Sequence, residues 1–376
     1  MSEAISGAGL FNRNNPAYRC AHAGYFSGGC RHSLCLVIAD AKPKPSNSRQ
    51  GPMRTIPPKQ ELTICFAHVA YRMAERFALR GTGIKHFQVG SLDELSARIG
   101  EADVLSVSMM WRNDLIARAP KLAFIQSISA GTDQYSREAL KTAGIRLASA
   151  QGVNAEAVAQ HAMALILALA RQLHFGRDNQ MNRHWRGMIS DLAQREDELG
   201  GKTLLIVGLG RIGSRLATLA RAFGMRVVAT KRDVSAGAGA ADAVFPQDRL
   251  LASLPDADVV ALTCPLTPET ERLIDAQALA AMKPSAFLIN VARGRVVDEP
   301  ALIAALAEKR IAGAGIDCTV EEPLAVSSPL WALENALITP HTAGETRRYE
   351  DNVIDLLLEN LDRQWRGETE LRNGII

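Results

Sequence analysis

Three polar side chains suited to catalysis lie in the last third of this 376-residue sequence, each close to an apolar run. Arg293 ends the segment LINVAR, Glu322 lies in GIDCTVEEPL, and His341 ends LITPH. An imidazole gains and releases a proton near neutral pH, and a guanidinium binds carboxylates through paired hydrogen bonds. Because each apolar run is typical of a buried strand, the three side chains are expected near strand ends. Each alone also has an ordinary explanation (a surface ion pair, a loop residue, a structural histidine), so a catalytic interpretation depends on the combination.

The segment LLIVGLGRIGSRLATLA, residues 204–220, predicts a dinucleotide-binding turn. Gly208, Gly210 and Gly213 form the pattern G-x-G-x-x-G between an apolar strand and a helix. In this pattern the first glycine permits a tight turn, the second lets the backbone approach a pyrophosphate, and the third lets the helix pack on the strand. The start of the helix then offers free N–H groups to the phosphates. The alternative is a glycine-rich turn that binds no ligand.

Two cations follow the next predicted strand, at the position that distinguishes the two nicotinamide coenzymes. Lys231 and Arg232 come directly after the segment MRVVAT. An acidic residue there would bind the adenosine ribose hydroxyls of NAD, whereas cations attract the 2′-phosphate of NADP. We therefore predict a preference for NADP(H), with NAD(H) as the second cofactor. In the alternative, both cations are solvated and Asp233 binds the ribose.

Strand-like and helical segments alternate from Glu61 onward in two series, which predicts an α/β fold. A long alanine-rich helix, with Asn154 as its N-cap, separates the two series. We expect two doubly wound parallel-sheet domains, a Rossmann nucleotide-binding domain and a flavodoxin-like substrate domain, with the active site in the cleft between them. The predicted divisions are an extension at residues 1–60, a substrate domain at residues 61–153 and 341–368, and a dinucleotide-binding domain at residues 154–340.

Positive charge is concentrated at the N-terminus. The formal net charge is +3, and residues 1–60 carry +6 (eight Lys or Arg against two Asp or Glu), which leaves −3 for the rest. We therefore expect no nucleic-acid partner, and no apolar run approaches the ~20 residues of a membrane span. The extension is interpreted as a disordered segment, a translation artefact preceding a start at Met53, or a targeting peptide. The six cysteines form no C-x-x-C pair, so we expect no metal site and reduced thiols in the cytoplasm.

The sequence resembles the D-isomer-specific 2-hydroxyacid dehydrogenases in five segments, which occur in the family's order and approximate spacing. These segments are the glycine turn, CPLTPET, NVARG, the residues from Asp317 to Pro323, and TPH. The resemblance covers roughly residues 61–367. It implies hydride transfer between NADP(H) or NAD(H) and a small 2-oxo or 2-hydroxy acid, such as glyoxylate or hydroxypyruvate, with D-stereospecificity. It also implies that His341 is the general acid/base, Glu322 its hydrogen-bonded partner and Arg293 the substrate clamp, and that the protein is a homodimer.

The same resemblance implies a set of further contacts. Arg211 and Ile212 would lie at the pyrophosphate, and Val291, Asp317 and Gly344 around the nicotinamide. The first domain would supply backbone donors for the substrate carboxylate, unless its loops are plain sheet edges. The expected substrate contacts are Ser108, Met109, Ala130, Gly131 and Arg293, and the expected cofactor contacts are Gly208, Gly210, Arg211, Ile212, Gly213, Lys231, Arg232, Cys264, Thr270, Val291, Arg293, Asp317, His341 and Gly344.

Several features depart from the family pattern. Gln160 replaces the glutamate of VAEH. We expect no regulatory domain after the last predicted helix, an expectation that favours a simple reductase over a feedback-controlled phosphoglycerate dehydrogenase. Arg347 and Arg348 either contact a second anionic group of the substrate or begin an exposed helix. The alternatives are therefore another oxidation, of phosphoglycerate, formate or phosphite, and a cofactor-sensing protein similar to the C-terminal-binding co-repressors. Only the basic extension favours the sensor.

Overall fold

The computed structural model describes residues 52–376, which contain two parallel β-sheets flanked by helices. The predicted α/β class with two doubly wound sheets is confirmed. The predictions for residues 1–51, namely the disordered extension and the absence of a metal cluster there, lie outside the described residues. Within residues 52–376, no helix combines the length and the apolar character needed to cross a membrane.

The first sheet has five parallel strands, and both of its faces are buried. In its first strand, Ile64 and Phe66 pack into one core while Cys65 and Ala67 pack into another, because successive side chains point to opposite faces. The spatial order is 2-1-3-4-5, the order of flavodoxin-like folds. Its strands are β1 (Thr63–Ala67), β2 (Lys85–Val89), β3 (Val104–Val107), β4 (Phe124–Ser127) and β5 (Arg146–Ala148).

The second sheet has seven parallel strands, and its order reverses next to the glycine turn. Its first strand in sequence lies between the second and the fourth, which creates the switch point where doubly wound sheets bind nucleotides. Its strands are β6 (Thr203–Val207), β7 (Arg226–Lys231), β8 (Ala243–Pro246), β9 (Val259–Leu262), β10 (Phe287–Asn290), β11 (Gly313–Ile316) and β12 (Ala336–Ile338).

The helices cover both sheets. The longest helix of the second half is rich in alanine and leucine, and it packs against β10 and β11 with its apolar face. The helices around the first sheet are α1 (Met73–Ala78), α2 (Leu92–Arg98) and α3 (Arg137–Ala143), and those around the second are α4 (Ala155–Ala170), α5 (Leu173–Met181), α6 (Arg211–Ala222), α7 (Leu250–Ser253), α8 (Ala276–Ala281) and α9 (Glu299–Ala307).

The last helix, α10 (Tyr349–Trp365), packs on the first sheet although it follows the second in sequence. Its fully buried Asn360 donates a hydrogen bond to Gln126 of β4 at 2.9 Å. Two contacts also join residues 54–57, within the expected extension, to this half. Arg54 donates to the carbonyl of Leu122 at 2.8 Å, and Trp365 donates to that of Pro57 at 2.9 Å.

Candidate active site

The glycine turn has the geometry that a bound pyrophosphate requires. Gly208 has φ of +99°, a region that favours glycine, and a Cβ there would lie 2.7 Å from Cα of Cys264. A Cβ at Gly213 would lie 2.5 Å from the carbonyl oxygen of Gly208. A Cβ at Gly210 would meet no atom within 4 Å, so the backbone there faces open space at the start of α6. These residues therefore fit a dinucleotide.

The first residue of α6 connects this turn to the segment that joins the two halves. The Arg211 guanidinium donates to the carbonyl of Gln151. It also lies against Gly152, where a Cβ would be 2.5 Å from Nη1 of the arginine. Ile212, the other residue expected at the pyrophosphate, packs partly buried against the core of the second half. Arg211 therefore lies on the side of the turn that faces the segment joining the two halves, whereas Ile212 points toward the core of the second half.

At the end of β7 the two cations and the neighbouring carboxylate have different environments. The Lys231 ammonium donates to the carbonyl of Gly237 at 3.1 Å, and Arg232 is exposed. Asp233 accepts hydrogen bonds from the hydroxyl of Ser235 at 2.5 Å and from its backbone N–H at 2.9 Å. These hydrogen bonds, with the nearby Lys231 charge, hold the pKa of Asp233 below its usual range. Both hydrogen bonds go to one carboxylate oxygen, Oδ1, which is thus engaged within its own loop.

The loop after β9 lies directly beside the glycine turn. Cys264 packs against Gly208 and is 8% exposed, and burial raises the pKa of its thiol to about 11. The Thr270 hydroxyl donates to the carbonyl of Pro265 and accepts from the backbone N–H of Thr267, both at 2.7 Å. The thiol is therefore neutral, and the Thr270 hydroxyl stabilises the loop that carries both residues.

His341 and Glu322 form a direct pair. His341 Nδ1 lies 2.8 Å from a carboxylate oxygen of Glu322, and the other oxygen accepts the backbone N–H of Thr319 at 3.1 Å. Both side chains are about two-fifths exposed, at 42% and 40%. A carboxylate on Nδ1 fixes the tautomer and the orientation of the ring. The structure therefore brings together the imidazole and the carboxylate that the sequence analysis paired by resemblance.

Asp317 anchors the loop that carries His341. It is 2% exposed. One of its carboxylate oxygens accepts from the Thr339 hydroxyl at 2.6 Å and from the N–H of Thr342 at 3.0 Å, and the other accepts from the N–H of Ala343 at 3.1 Å. Asp317 was expected beside the nicotinamide. In the structure, its side chain engages the Thr339 hydroxyl before His341 and the backbone N–H groups of Thr342 and Ala343 after it.

Arg293 follows β10 and lies at the boundary between the two halves. Its guanidinium donates to the carbonyl of Ala292 at 2.7 Å, and Asn290 donates to the carbonyl of Arg293 at 3.0 Å. A Cβ at Gly131, in the loop after β4, would lie only 2.6 Å from Nη2 of this arginine. The guanidinium therefore contacts the loop of the first sheet that was expected to bind the substrate carboxylate.

Gly294, the residue after Arg293, allows the loop of Arg293 to pack against the loop that carries Glu322. A Cβ at Gly294 would lie 2.0 Å from the carbonyl carbon of Thr319, and Thr319 donates to Glu322. Only glycine allows the two loops to pack this closely. The reason for a glycine beside Arg293 is not visible in the sequence, because Thr319 lies 25 residues further along the chain.

The loops at the ends of β3 and β4 face the same boundary. The hydroxyls of Ser108 and Ser129 are hydrogen-bonded to each other, and Gln134 donates to Ser108 at 3.4 Å. Met109 is 80% exposed and Ala130 is exposed as well. The Ser108 side chain is thus engaged within the protein, whereas Met109 and Ala130 are exposed at this boundary.

Asn154 and His161, at the start of α4 and within it, were not recognised as site residues from the sequence. A Cβ at Gly344 would lie 2.5 Å from Nδ2 of Asn154, whose Oδ1 is buried and has no hydrogen-bond partner in the described structure. Asn154 is the N-cap residue of α4, as predicted, but its side chain makes no capping hydrogen bond. His161 Nε2 lies 2.9 Å from the Thr339 hydroxyl and so supports the loop of His341.

The remaining predicted positions lie near this region or on the surface. Val291 is 7% exposed and packs in one core cluster with Ala343, the residue before Gly344. Gln160 is exposed and donates to Glu156 at 2.7 Å, so its substitution changes a surface contact of α4. Arg347 and Arg348 are exposed immediately before α10.

Three comparisons with known proteins agree with this geometry. The family model "D-isomer specific 2-hydroxyacid dehydrogenase, NAD binding domain" matches residues 163–343. Glyoxylate reductase of Aeropyrum pernix is 36% identical over 289 residues, which cover 73% of this chain and 83% of that protein. D-3-phosphoglycerate dehydrogenase of Mycobacterium tuberculosis is 35% identical over 281 residues, which cover 73% of this chain and 52% of that protein.

A solved structure gives the same result. The D-isomer specific 2-hydroxyacid dehydrogenase family protein of Aeromonas salmonicida has a TM-score of 0.73 and 28% identity, and the match covers 84% of this chain and 99% of that one. The matched family model spans the glycine turn, Arg293, Glu322 and His341. The fold, the paired imidazole and carboxylate, and these similarities together show that the chain belongs to the D-isomer specific 2-hydroxyacid dehydrogenase family.

Proposed function

We propose that the enzyme is an NADP(H)-preferring reductase of small 2-oxo acids, such as glyoxylate or hydroxypyruvate, that forms the D-2-hydroxy acid. The observation that carries the proposal is the hydrogen-bonded pair of His341 and Glu322 in loops beside that of Arg293, whose guanidinium contacts the first sheet at Gly131. The names of the similar reductase and dehydrogenase support the substrate class.

In this proposal each half has its own role. The half around the second sheet binds the dinucleotide, and the half around the first sheet, completed by α10, provides backbone N–H groups for the substrate carboxylate. When bound, the nicotinamide supplies or accepts the hydride at C2 of the substrate. The glycine turn and the start of α6 hold the pyrophosphate through backbone N–H groups.

The side chains supply the remaining steps. Arg293 binds the carboxylate and the C2 oxygen of the 2-oxo acid, which orients the substrate and stabilises the negative charge that develops on that oxygen. His341 donates its proton to the C2 oxygen during reduction and takes it back during oxidation. Glu322 fixes the tautomer and orientation of the imidazole, and Asp317 keeps the loop of His341 in place.

A substrate panel tests the proposal. NADPH oxidation is followed by absorbance with glyoxylate, hydroxypyruvate, pyruvate and phosphohydroxypyruvate, and the series is repeated with NADH. We expect the highest kcat/KM with a small unphosphorylated 2-oxo acid and NADPH. Tight coenzyme binding without turnover of any 2-oxo acid would instead favour the cofactor-sensing alternative.

A phosphorylated substrate is the second candidate, and one observation favours it. Arg347 and Arg348 are exposed a few residues after His341, where they are available to a second anionic group. The similarity to a phosphoglycerate dehydrogenase points the same way. The highest kcat/KM with phosphohydroxypyruvate would identify this activity.

Neutralising the two cations after β7 is expected to weaken NADPH selectively. Because a hydrogen bond to a charged group contributes about 1.5–3 kcal/mol, the loss of even one such contact in the Lys231→Ala/Arg232→Ala variant should raise the Kd of NADPH by at least about 10- to 100-fold. The Kd of NADH should change little. Coenzyme fluorescence titrations measure both constants.

The control for this prediction is Arg226→Ala, which removes an exposed cation at the opposite end of the same strand. It should leave both constants near their wild-type values. Equal losses of affinity for NADPH and for NADH in the double variant would show that Lys231 and Arg232 do not bind the 2′-phosphate.

The expected homodimer and the expected cytoplasmic location belong to the same proposal. Large apolar side chains are exposed along residues 173–192, among them Trp185 at 96%, Met188 at 101% and Leu192 at 76%. A concentration of exposed apolar area on one segment is typical of a protein interface. Within the described residues the cysteines are buried thiols, which agrees with a reducing compartment.

The dimer is tested by charging this segment. The Trp185→Asp/Met188→Asp variant should sediment as a monomer at concentrations where the wild-type protein sediments as a dimer, because burying two carboxylates in an interface is strongly unfavourable. Leu79→Asp, at a side chain 71% exposed on the first half, is the matched control and should remain dimeric. A double variant that stays dimeric would place the interface elsewhere.

A further inference from the structure

The proposed proton-transfer pair, Glu322 and His341, and the neighbouring Cys318 have ligand atoms close enough to bind one cation together. The sulfur of Cys318, a carboxylate oxygen of Glu322 and a ring nitrogen of His341 lie within 4.8 Å of one another. The first two follow β11, and the third follows β12. None of the functional roles proposed above uses the thiol, which is 2% exposed and donates a hydrogen bond to the carbonyl of Ala292 at 3.5 Å.

The donor set selects a particular class of metal. A thiolate, an imidazole and a carboxylate are ligands of Zn²⁺, whereas Mg²⁺ and Ca²⁺ prefer oxygen ligands alone. Ligand atoms around tetrahedral Zn²⁺ are about 3.5 Å apart, as the bond lengths of 2.0–2.3 Å require. Glu322 and His341 are both exposed, so their side chains can move by the roughly 1 Å needed to close the site around the buried sulfur.

The surrounding charges are mixed. The Asp317 and Glu322 carboxylates favour a cation, whereas the nearby Arg293 guanidinium opposes one. Burial, followed by the charges of these two carboxylates, raises the pKa of the Cys318 thiol. The free thiol is therefore protonated, and binding of a metal must release that proton to solvent as the metal–sulfur bond forms.

We propose that Cys318, Glu322 and His341 form an inhibitory binding site for thiophilic divalent cations, with Zn²⁺ as the physiological example. A metal ion bound there occupies the imidazole and the carboxylate, so His341 can no longer transfer a proton to the substrate. The inhibition rests on the proposed function, but the binding does not. Water completes the coordination of the ion.

Direct binding is measured on the full chain in which Cys20, Cys30 and Cys35 are replaced by serine, so that other thiols do not compete. Zn²⁺ affinity comes from competition with a chromophoric chelator, and Co²⁺ reports a thiolate ligand through its charge-transfer absorption. Cys318→Ser should weaken Zn²⁺ by about 100-fold or more and remove that absorption, since losing even an outer-shell partner costs 10–100-fold.

Two further variants complete the binding experiment. Cys65→Ser replaces another buried thiol, in the first half of the molecule, and should leave the affinity and the absorption unchanged. Glu322→Gln should also weaken Zn²⁺ while retaining the thiolate absorption of Co²⁺. Equal Zn²⁺ affinity in the parent chain and the Cys318→Ser variant would overturn the proposal.

Inhibition is measured separately with NADPH and the best 2-oxo acid of the panel. Zn²⁺ should inhibit the parent chain at least about 100-fold more strongly than Cys318→Ser, with each protein compared to its own metal-free rate, and millimolar Mg²⁺ should inhibit neither. If no 2-oxo acid is turned over, the proposed function fails, whereas the binding experiment still decides the metal site. Zn²⁺ binding through Cys318 without any inhibition of an active enzyme would overturn the inhibitory role.

Discussion

The His341→Gln variant is expected to reduce 2-oxo acids about 10²- to 10⁴-fold more slowly than the wild-type enzyme, the range that a general acid contributes. Glutamine has no proton to release near neutral pH, so the oxygen at C2 must take its proton from water. The Kd of NADPH should stay unchanged, because the glycine turn and the end of β7 are intact. Steady-state kinetics and fluorescence titration measure the two quantities.

A second variant and a control separate the imidazole from the backbone. His341 has φ of +54°, a region that asparagine enters more readily than glutamine, so His341→Asn preserves the loop better. It should be as slow as the glutamine variant. The control is His86→Gln, a partly buried histidine on β2, which should retain full activity. Near-normal turnover of His341→Asn would remove the proposed role of the imidazole.

The Arg293→Gln variant is expected to lower kcat/KM by at least about 10²- to 10³-fold, the effect of removing one hydrogen-bond donor that stabilises a developing oxyanion. The loss should include a higher KM, because the same guanidinium binds the carboxylate of the substrate. Initial rates over a range of 2-oxo acid concentrations, at saturating NADPH, separate the two effects.

The neighbouring residues provide matched variants for this prediction. Arg295→Gln removes an exposed arginine that is paired with Glu271, and it should behave like the wild-type enzyme. Gly131→Ala keeps the guanidinium but places a methyl group 2.6 Å from its Nη2, so it should displace the arginine and cause a smaller loss. An Arg293→Gln variant with wild-type kcat/KM would exclude the arginine as the substrate clamp.

The arrangement of the site explains why these effects are expected to be large. Gly294 lets the loop of Arg293 pack against the backbone of Thr319, and Thr319 in turn donates to Glu322. The loop of His341 is held by three hydrogen bonds to the buried Asp317. Groups that are held rigidly act on the transition state without first being reorganised.

Local sequence features determined the fold class and identified the candidate site residues. The alternation of strand-like and helical segments predicted two doubly wound sheets. These segments were recognisable because the spacing of apolar residues along a strand or helix reflects which of its sides is buried. The glycine turn was recognisable because three glycines at fixed spacing follow a strand and open a helix. Arg293, Glu322 and His341 were expected near strand ends, and their joint role was implied by the resemblance to the family.

Only the tertiary structure decided how these parts contact one another. The proximity of Gly131 to Arg293, of Gly294 to Thr319 and of Gly344 to Asn154 depends on segments that are far apart in the chain. The role of Asp317 as an anchor and the closeness of Cys318 to His341 have the same origin. Periodicity and motif spacing report local structure and burial, whereas the distance between two loops is set by the packing of whole sheets and helices.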